Sequence, residues 1–171
     1  IFGAMVSQRL EIKEGFDWLG EDNGQVDKIT FDVDLVFSTD HWILNELYTK
    51  HIKPYFAELS TSVLSFSIKK LEERYLTMAA WGKARRDWER DSYGRAAIES
   101  NEEGNRLDPL DVLIDAARDS LVSLGDTDKH LSEAWIHILS TSVAPIVRRL
   151  SIHGLDARHD KSADEKLRLF L

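Results

Sequence analysis

The chain has 171 residues, 43% of them apolar and 30% charged, and a formal charge of −8. That length suits one ordinary domain with a proper core, and the globular composition excludes wholesale disorder. Ten acids against four bases in residues 1–50 have the wrong sign for a nucleic-acid groove, and zero cysteines exclude disulfides, thiolate ligands and a cysteine nucleophile.

No apolar run approaches the roughly 18 residues that a bilayer demands, and residues 1–30 lack the basic-then-apolar layout of a signal peptide. The expected setting is cytoplasmic, with no membrane and no nucleic acid as partner. Gly3-Ala4-Met5 resembles a scar of recombinant expression, so residues 1–5 are set apart. The chain is expected to be an excerpt of a larger protein.

Residues 6–37 are expected to form a β-hairpin appendage. Leu10, Ile12 and Phe16 fall on even positions among polar Arg9, Glu11 and Lys13. Ile29, Phe31, Val33, Leu35 and Phe37 then alternate with Thr30, Asp32 and Asp34, the period of a half-buried strand. Glu21-Asp22-Asn23-Gly24 supplies turn chemistry between them. A helix over 5–19, broken at Gly15, is the alternative.

Residues 38–107 are expected to be a helical segment with an irregular charged loop. Ser38-Thr39-Asp40 offers N-caps for a helix burying Trp42, Ile43, Leu47 and Ile52. Pro54 predicts a break near Lys53. A long helix over 55–81 follows, with Phe56, Leu59, Val63, Phe66, Leu71 and Leu76 on its apolar face and Gly82 as its stop. Residues 82–107 carry six bases and six acids; a short helix around 84–91 and a loop to about 105 are predicted.

Asp108-Pro109 sets an N-cap and an N1 proline for a helix with Leu110, Leu113, Ile114, Ala117, Leu121 and Leu124 on one face, stopping at Gly125. Asp128 should start a partner helix that buries Leu131, Trp135, Ile138 and Leu139. A third helix after Thr141-Ser142 carries Ile146, Val147, Leu150 and Leu155. Connections of about three residues require antiparallel neighbours. Ser162 and Glu165 have capping-box spacing for one more helix. The expected fold class is mainly α: antiparallel helix pairs of HEAT-like αα-repeat type, over 108–171, with the small N-terminal hairpin.

Little in the sequence carries chemistry. Asp108, Asp111, Asp115 and Asp119 line one helix face, and stacked carboxylates can hold Mg²⁺ or Ca²⁺. The favoured reading is a cap, dipole partners and an Asp115–Arg118 pair on a solvated face. Six histidines are scattered without His-x-x-x-His spacing. No Gly-x-Ser-x-Gly turn, phosphate loop or dinucleotide fingerprint is present. No catalytic residue, cofactor or metal is therefore assigned. Arg95 and Glu99 either face an anionic partner or pin the loop onto Arg118 and Asp119. Of Arg148 and Arg149, one should tie neighbouring helices to an acid while the other faces water.

Several strings, in order, resemble one known group: Arg9-Leu10-Glu11-Ile12-Lys13-Glu14-Gly15-Phe16, Asp40-His41-Trp42-Ile43-Leu44, Arg95-Ala96-Ala97-Ile98-Glu99, Leu113-Ile114-Asp115-Ala116-Ala117-Arg118-Asp119 and Pro145-Ile146-Val147-Arg148-Arg149-Leu150. They look like the helical C-terminal region of large bacterial antiphage proteins, over most of 9–155. Those proteins join a sirtuin-like or nuclease effector to a regulatory ATPase and a helical sensor array. The resemblance implies a non-catalytic scaffold or sensor segment whose partners are other domains of its parent or a foreign protein. Candidate protein contacts are Trp88, Tyr93, Arg95 and Glu99, since aromatics and arginine dominate binding energy. The competing reading is a small metal-dependent hydrolase or nuclease using helix-borne carboxylates.

Overall fold

Strands β1 (Gln8–Gly15) and β2 (Thr30–Phe37) form the expected antiparallel ribbon, with Leu10 opposite Leu35 and Ile12 opposite Val33. A computed structural model describes residues 7–15, 30–85, 88–89, 98 and 108–168 of the chain. The turn assigned to 21–24 lies outside them. Among the described side chains of the ribbon, Leu35 of β2 is buried and Phe37 packs beside it, whereas Leu10 and Ile12 of β1 are 45% and 66% exposed. Arg74, itself buried, donates from Nη1 to the Leu35 carbonyl at 2.6 Å and so fixes the ribbon to the helical body.

Helix α1 (His41–Leu47) begins at Asp40, one of the three predicted caps, although the Asp40 side chain makes no capping bond. It buries Leu44, and the chain beyond it buries Tyr48 and Ile52, a spacing of four and four. Trp42, expected inside, is 56% exposed. Ile52 is buried as expected and Leu47 packs partly buried, but Leu44 and Tyr48 take the centre of the stripe, because adjacent faces of this short helix are both apolar in sequence. The expected break at Lys53 is present. Pro54 cannot donate and its ring crowds the carbonyl four residues back. The backbone responds with a π-helical turn over Tyr48–Ile52 and a 3₁₀ turn over Lys53–Tyr55.

Helix α2 (Phe56–Ala80) spans 25 residues and ends where Gly82 predicted. Gly82 adopts φ +70°; its N–H bonds the Ala79 carbonyl at 2.9 Å and the Lys83 N–H bonds Met78 at 2.8 Å. That is a Schellman ending, in which glycine avoids the Cβ penalty of the left-handed region. A Cβ on Gly82 would meet nothing within 4 Å, so Gly82→Ala should cost only the backbone term, about 1 kcal/mol in chemical denaturation. A loss above twice that would contradict the motif. The buried face of α2 comprises Phe56, Val63, Leu64, Ile68, Leu71, Tyr75 and Met78, while Leu59 and Leu76, assigned to it from spacing, are exposed.

After α2 the expected helix at 84–91 is replaced by two two-residue strands, β3 (Ala84–Arg85) and β4 (Trp88–Glu89), paired antiparallel. The Schellman ending reverses the chain, and a run this rich in alternating charges has no apolar stripe to sustain a helix against the core.

Helix α3 (Pro109–Thr127) starts as predicted, with Asp108 accepting from the Leu110 N–H at 2.9 Å. All six residues assigned to its apolar face are buried. It does not stop at Gly125 but continues to Thr127. Asp128, in extended conformation, ends it and caps α4 (Lys129–Ser140) by accepting from Leu131 N–H at 3.0 Å. One residue therefore joins α3 to α4, shorter than the three expected. Gly125 thus lies inside the helix, where a Cβ would make ordinary contact with Arg158 Cδ at 3.4 Å.

Helix α4 buries Ile136 and Leu139, with Leu131 and Trp135 half-buried against them; Ile138, expected inside, is exposed. Four residues, 141–144, lead to α5 (Pro145–Asp156), whose Ile146, Val147, Leu150 and Leu155 are buried as expected. Arg148 donates to the carbonyls of Ser142 and Val143 and so closes this connection. The expected capping box opens α6 (Ala163–Arg168): Glu165 accepts from the Ser162 N–H at 2.8 Å, and Ser162 Oγ accepts from Glu165 N–H at 3.3 Å. Helices α2 and α3 share the most extensive interface, and one apolar core runs from Leu35 through Leu155. No helix of the described residues is long and apolar enough to cross a membrane.

Candidate functional site

The densest polar constellation lies where the π-helical turn meets α3. Asp119 projects from the middle of α3, and only 14% of its side chain is exposed. Its Oδ2 accepts from the Tyr48 hydroxyl and from Lys53 Nζ, each at 2.6 Å. Its Oδ1 accepts from Arg118 Nε at 2.7 Å and Nη2 at 2.6 Å. Arg118 in turn donates from Nη1 to Asp115 at 2.6 Å and to the Ile98 carbonyl at 3.1 Å.

The widened turn before Pro54 makes this geometry possible. Tyr48 and Lys53 are five residues apart, so an unbroken α-helix would set them about 140° apart around its axis. The π turn and the 3₁₀ turn bring both to one carboxylate. Burial alone would raise the Asp119 pKa, but the hydrogen bonds from Lys53 and Tyr48 and the Arg118 charge outweigh it and hold the carboxyl below its ordinary range. For Tyr48 burial and the bond to Asp119 act together, pushing the phenol far above its ordinary value. Both groups thus keep one protonation state over any physiological pH.

A second cluster ties the end of α5 to the start of α4. Arg158, buried, makes a two-pronged contact with Asp160, Nε to Oδ1 at 2.7 Å and Nη2 to Oδ2 at 2.8 Å, and donates to the Lys129 carbonyl at 3.1 Å. The guanidinium holds the Asp160 carboxyl far below the usual carboxylate range. Ser142 Oγ adds a bond to Glu72 that joins the α4–α5 connection to α2.

A cleft of about 340 Å³ runs along α4, lined by His130, Glu133, His137 and Ser140 with Arg168 of α6 across from them. The two histidines are seven positions apart, two turns of one helix face. Glu133 is engaged by Lys161 at 3.0 Å. Among the described residues, no three His, Asp or Glu side chains are placed to hold a metal ion.

The four residues named as candidate contacts are not brought together in the described part. Trp88 lies in β4 opposite Arg85, with its backbone alone described. Tyr93, Arg95 and Glu99 lie outside the described residues. Ile98 is described: it is buried, and its carbonyl accepts from Arg118 Nη1 of α3. The aspartate ladder divides: Asp108 is a cap, Asp115 pairs with Arg118 as expected, and Asp119 departs from a solvated face by turning into the interior. Sequence reasoning missed Tyr48 and Lys53. Asp119 shares the face of Asp108, Asp111 and Asp115, opposite the apolar stripe, so no local signal marked it for burial.

No protein-family model, curated protein or solved structure matches this chain.

Proposed function

We propose that the chain is a non-catalytic helical scaffold or sensor segment, of HEAT-like build, in a larger cytoplasmic bacterial protein of the defence type. It recognises protein: other domains of its parent, or a foreign protein that the parent detects. The observation that carries this reading is how the buried charges are used. Both oxygens of Asp119 are occupied by Tyr48, Lys53 and Arg118, an arrangement that locks helices together and leaves no lone pair aimed at a substrate. Large apolar side chains stand exposed instead, among them Trp42, Tyr55 and Trp81, the residue types that anchor protein interfaces. Residues 82–107, held to α3 at Ile98, supply the contact loop with Trp88, Tyr93, Arg95 and Glu99.

Two measurements test this. Titration calorimetry with Mg²⁺, Mn²⁺ and Zn²⁺ should give no saturable heat. Saturable heat that Asp111→Asn and Asp115→Asn remove would establish the hydrolase or nuclease alternative. Trp88→Ala with Arg95→Ala should weaken co-purification with the separately expressed domains of the parent by about tenfold or more, at unchanged melting temperature. Undiminished binding would discard the loop as the contact surface.

A further inference from the structure

The N-terminal ribbon has an open side. The Ser38 N–H donates to the Ser7 carbonyl at 2.9 Å, which fixes the parity of the ladder. Residues 7, 9 and 11 of the first strand point their backbone groups at β2; residues 8, 10 and 12 point theirs away. Leu35 agrees with that parity, since its N–H turns outward to the Asp34 carboxylate and its carbonyl to Arg74. The outer edge of β1 therefore offers the N–H and C=O groups of Gln8, Leu10 and Ile12, and among the described residues no third strand pairs with it. Among the described side chains of the ribbon, Leu10 and Ile12 are the exposed large apolar ones, both on one face of β1. An edge of this kind is a template for another strand.

The charges on β1 select the occupant. We infer that β1 pairs antiparallel with β1 of a second copy of this chain, with Leu10 on the two-fold axis. In that register Leu10 faces Leu10, and Gln8 faces Ile12, as hydrogen-bonded pairs, which the outward groups of all three residues permit. Arg9 of each copy then stands opposite Glu11 of the other, twice, at the closer non-hydrogen-bonded spacing. A shift that set Glu11 opposite Glu11 would also put Arg9 against Lys13, so that every pair of facing charges would repel. Within one copy Arg9 and Glu11 already meet at 2.9 Å on the solvent side, so both are oriented for a cross-strand partner. On the opposite face, Ile12 of the second copy comes against Gln8 at the mouth of a cleft of about 310 Å³ between the ribbon and α2, lined by Gln8, Leu10, Leu35 and Lys70. Such a two-fold contact is closed and self-limiting. It does not depend on the scaffold reading above.

Analytical ultracentrifugation of the purified chain over a concentration series should show a monomer–dimer equilibrium. Arg9→Glu alone or Glu11→Arg alone turns two attractive pairs repulsive and should weaken the dimer about tenfold; the double variant should restore it. Leu10→Pro removes an outward N–H without touching the ladder to β2 and should abolish the dimer at unchanged far-ultraviolet circular dichroism. A chain that stays monomeric throughout, a dimer indifferent to the single reversals, or one not recovered in the double variant overturns the inference.

Discussion

Asp119→Ala is expected to lower the unfolding free energy by about 3 kcal/mol, the low end of what breaking a buried charge network costs. The substitution leaves Arg118, 9% exposed at its side chain, and the Tyr48 hydroxyl facing an empty acceptor position. Lys53, half-exposed, can return to water, which keeps the loss from reaching the upper end. Asp119→Asn retains an acceptor for Tyr48 but no charge for the two cations, and should fall between wild type and Ala. The pH dependence has a fixed sign. The Asp119 pKa in the folded state lies below its unfolded value, so its stabilisation is present above about pH 4 and is lost as pH falls through the folded value. The gap between wild type and Asp119→Ala should therefore close only in strong acid. Tyr48 is shifted up, so its contribution is intact below about pH 10 and declines as pH rises beyond that. Tyr48→Phe should remove the alkaline limb. Urea melts from acid to alkaline pH measure all of this; a loss under about 1 kcal/mol for Asp119→Ala would mean that the network behaves as a surface pair.

Gly154→Ala should destabilise by about 2 kcal/mol through overpacking. Gly154 sits in α5 where that helix crosses α3. A Cβ placed there would collide with Leu121 Cδ2 and lie 2.8 Å from Leu121 Cγ. Leu121 is only 1% exposed and cannot swing into solvent. The small gain in helix propensity from alanine, about 1 kcal/mol, offsets part of the clash and does not cancel it. Leu121→Ala opens a cavity of its own, so the double variant should be less destabilised than the sum of the two single variants, because the colliding atoms go. Thermal melts of the single and double variants read this directly. A neutral or stabilised Gly154→Ala would show that α3 and α5 can part at no cost.

The alternation at 29–37, the break at Pro54, the stop at Gly82, the caps at Asp108 and Asp128 and the box at Ser162–Glu165 were all legible without coordinates. Each depends on a few neighbouring residues and on chemistry that works the same way in any context. Apolar faces were read less evenly. In α3, where apolar and polar positions separate cleanly, every assigned residue is buried. In α1, α2 and α4 neighbouring positions compete for the buried face, and spacing alone did not choose Leu44 over Trp42, Ser60 over Leu59, or Ile136 over Ile138.

What sequence determined by itself is therefore the set of elements, most of their ends and the helical class of the chain, all properties of short-range backbone and side-chain chemistry. Tertiary structure alone decided which flank of each helix is covered and where the polar lock forms. Asp119 meets Tyr48 across 71 residues and Lys53 across 66, and Gly154 lies against Leu121 of another helix. Such pairings are set by how whole helices dock, and no local pattern encodes the partner a side chain will meet after docking.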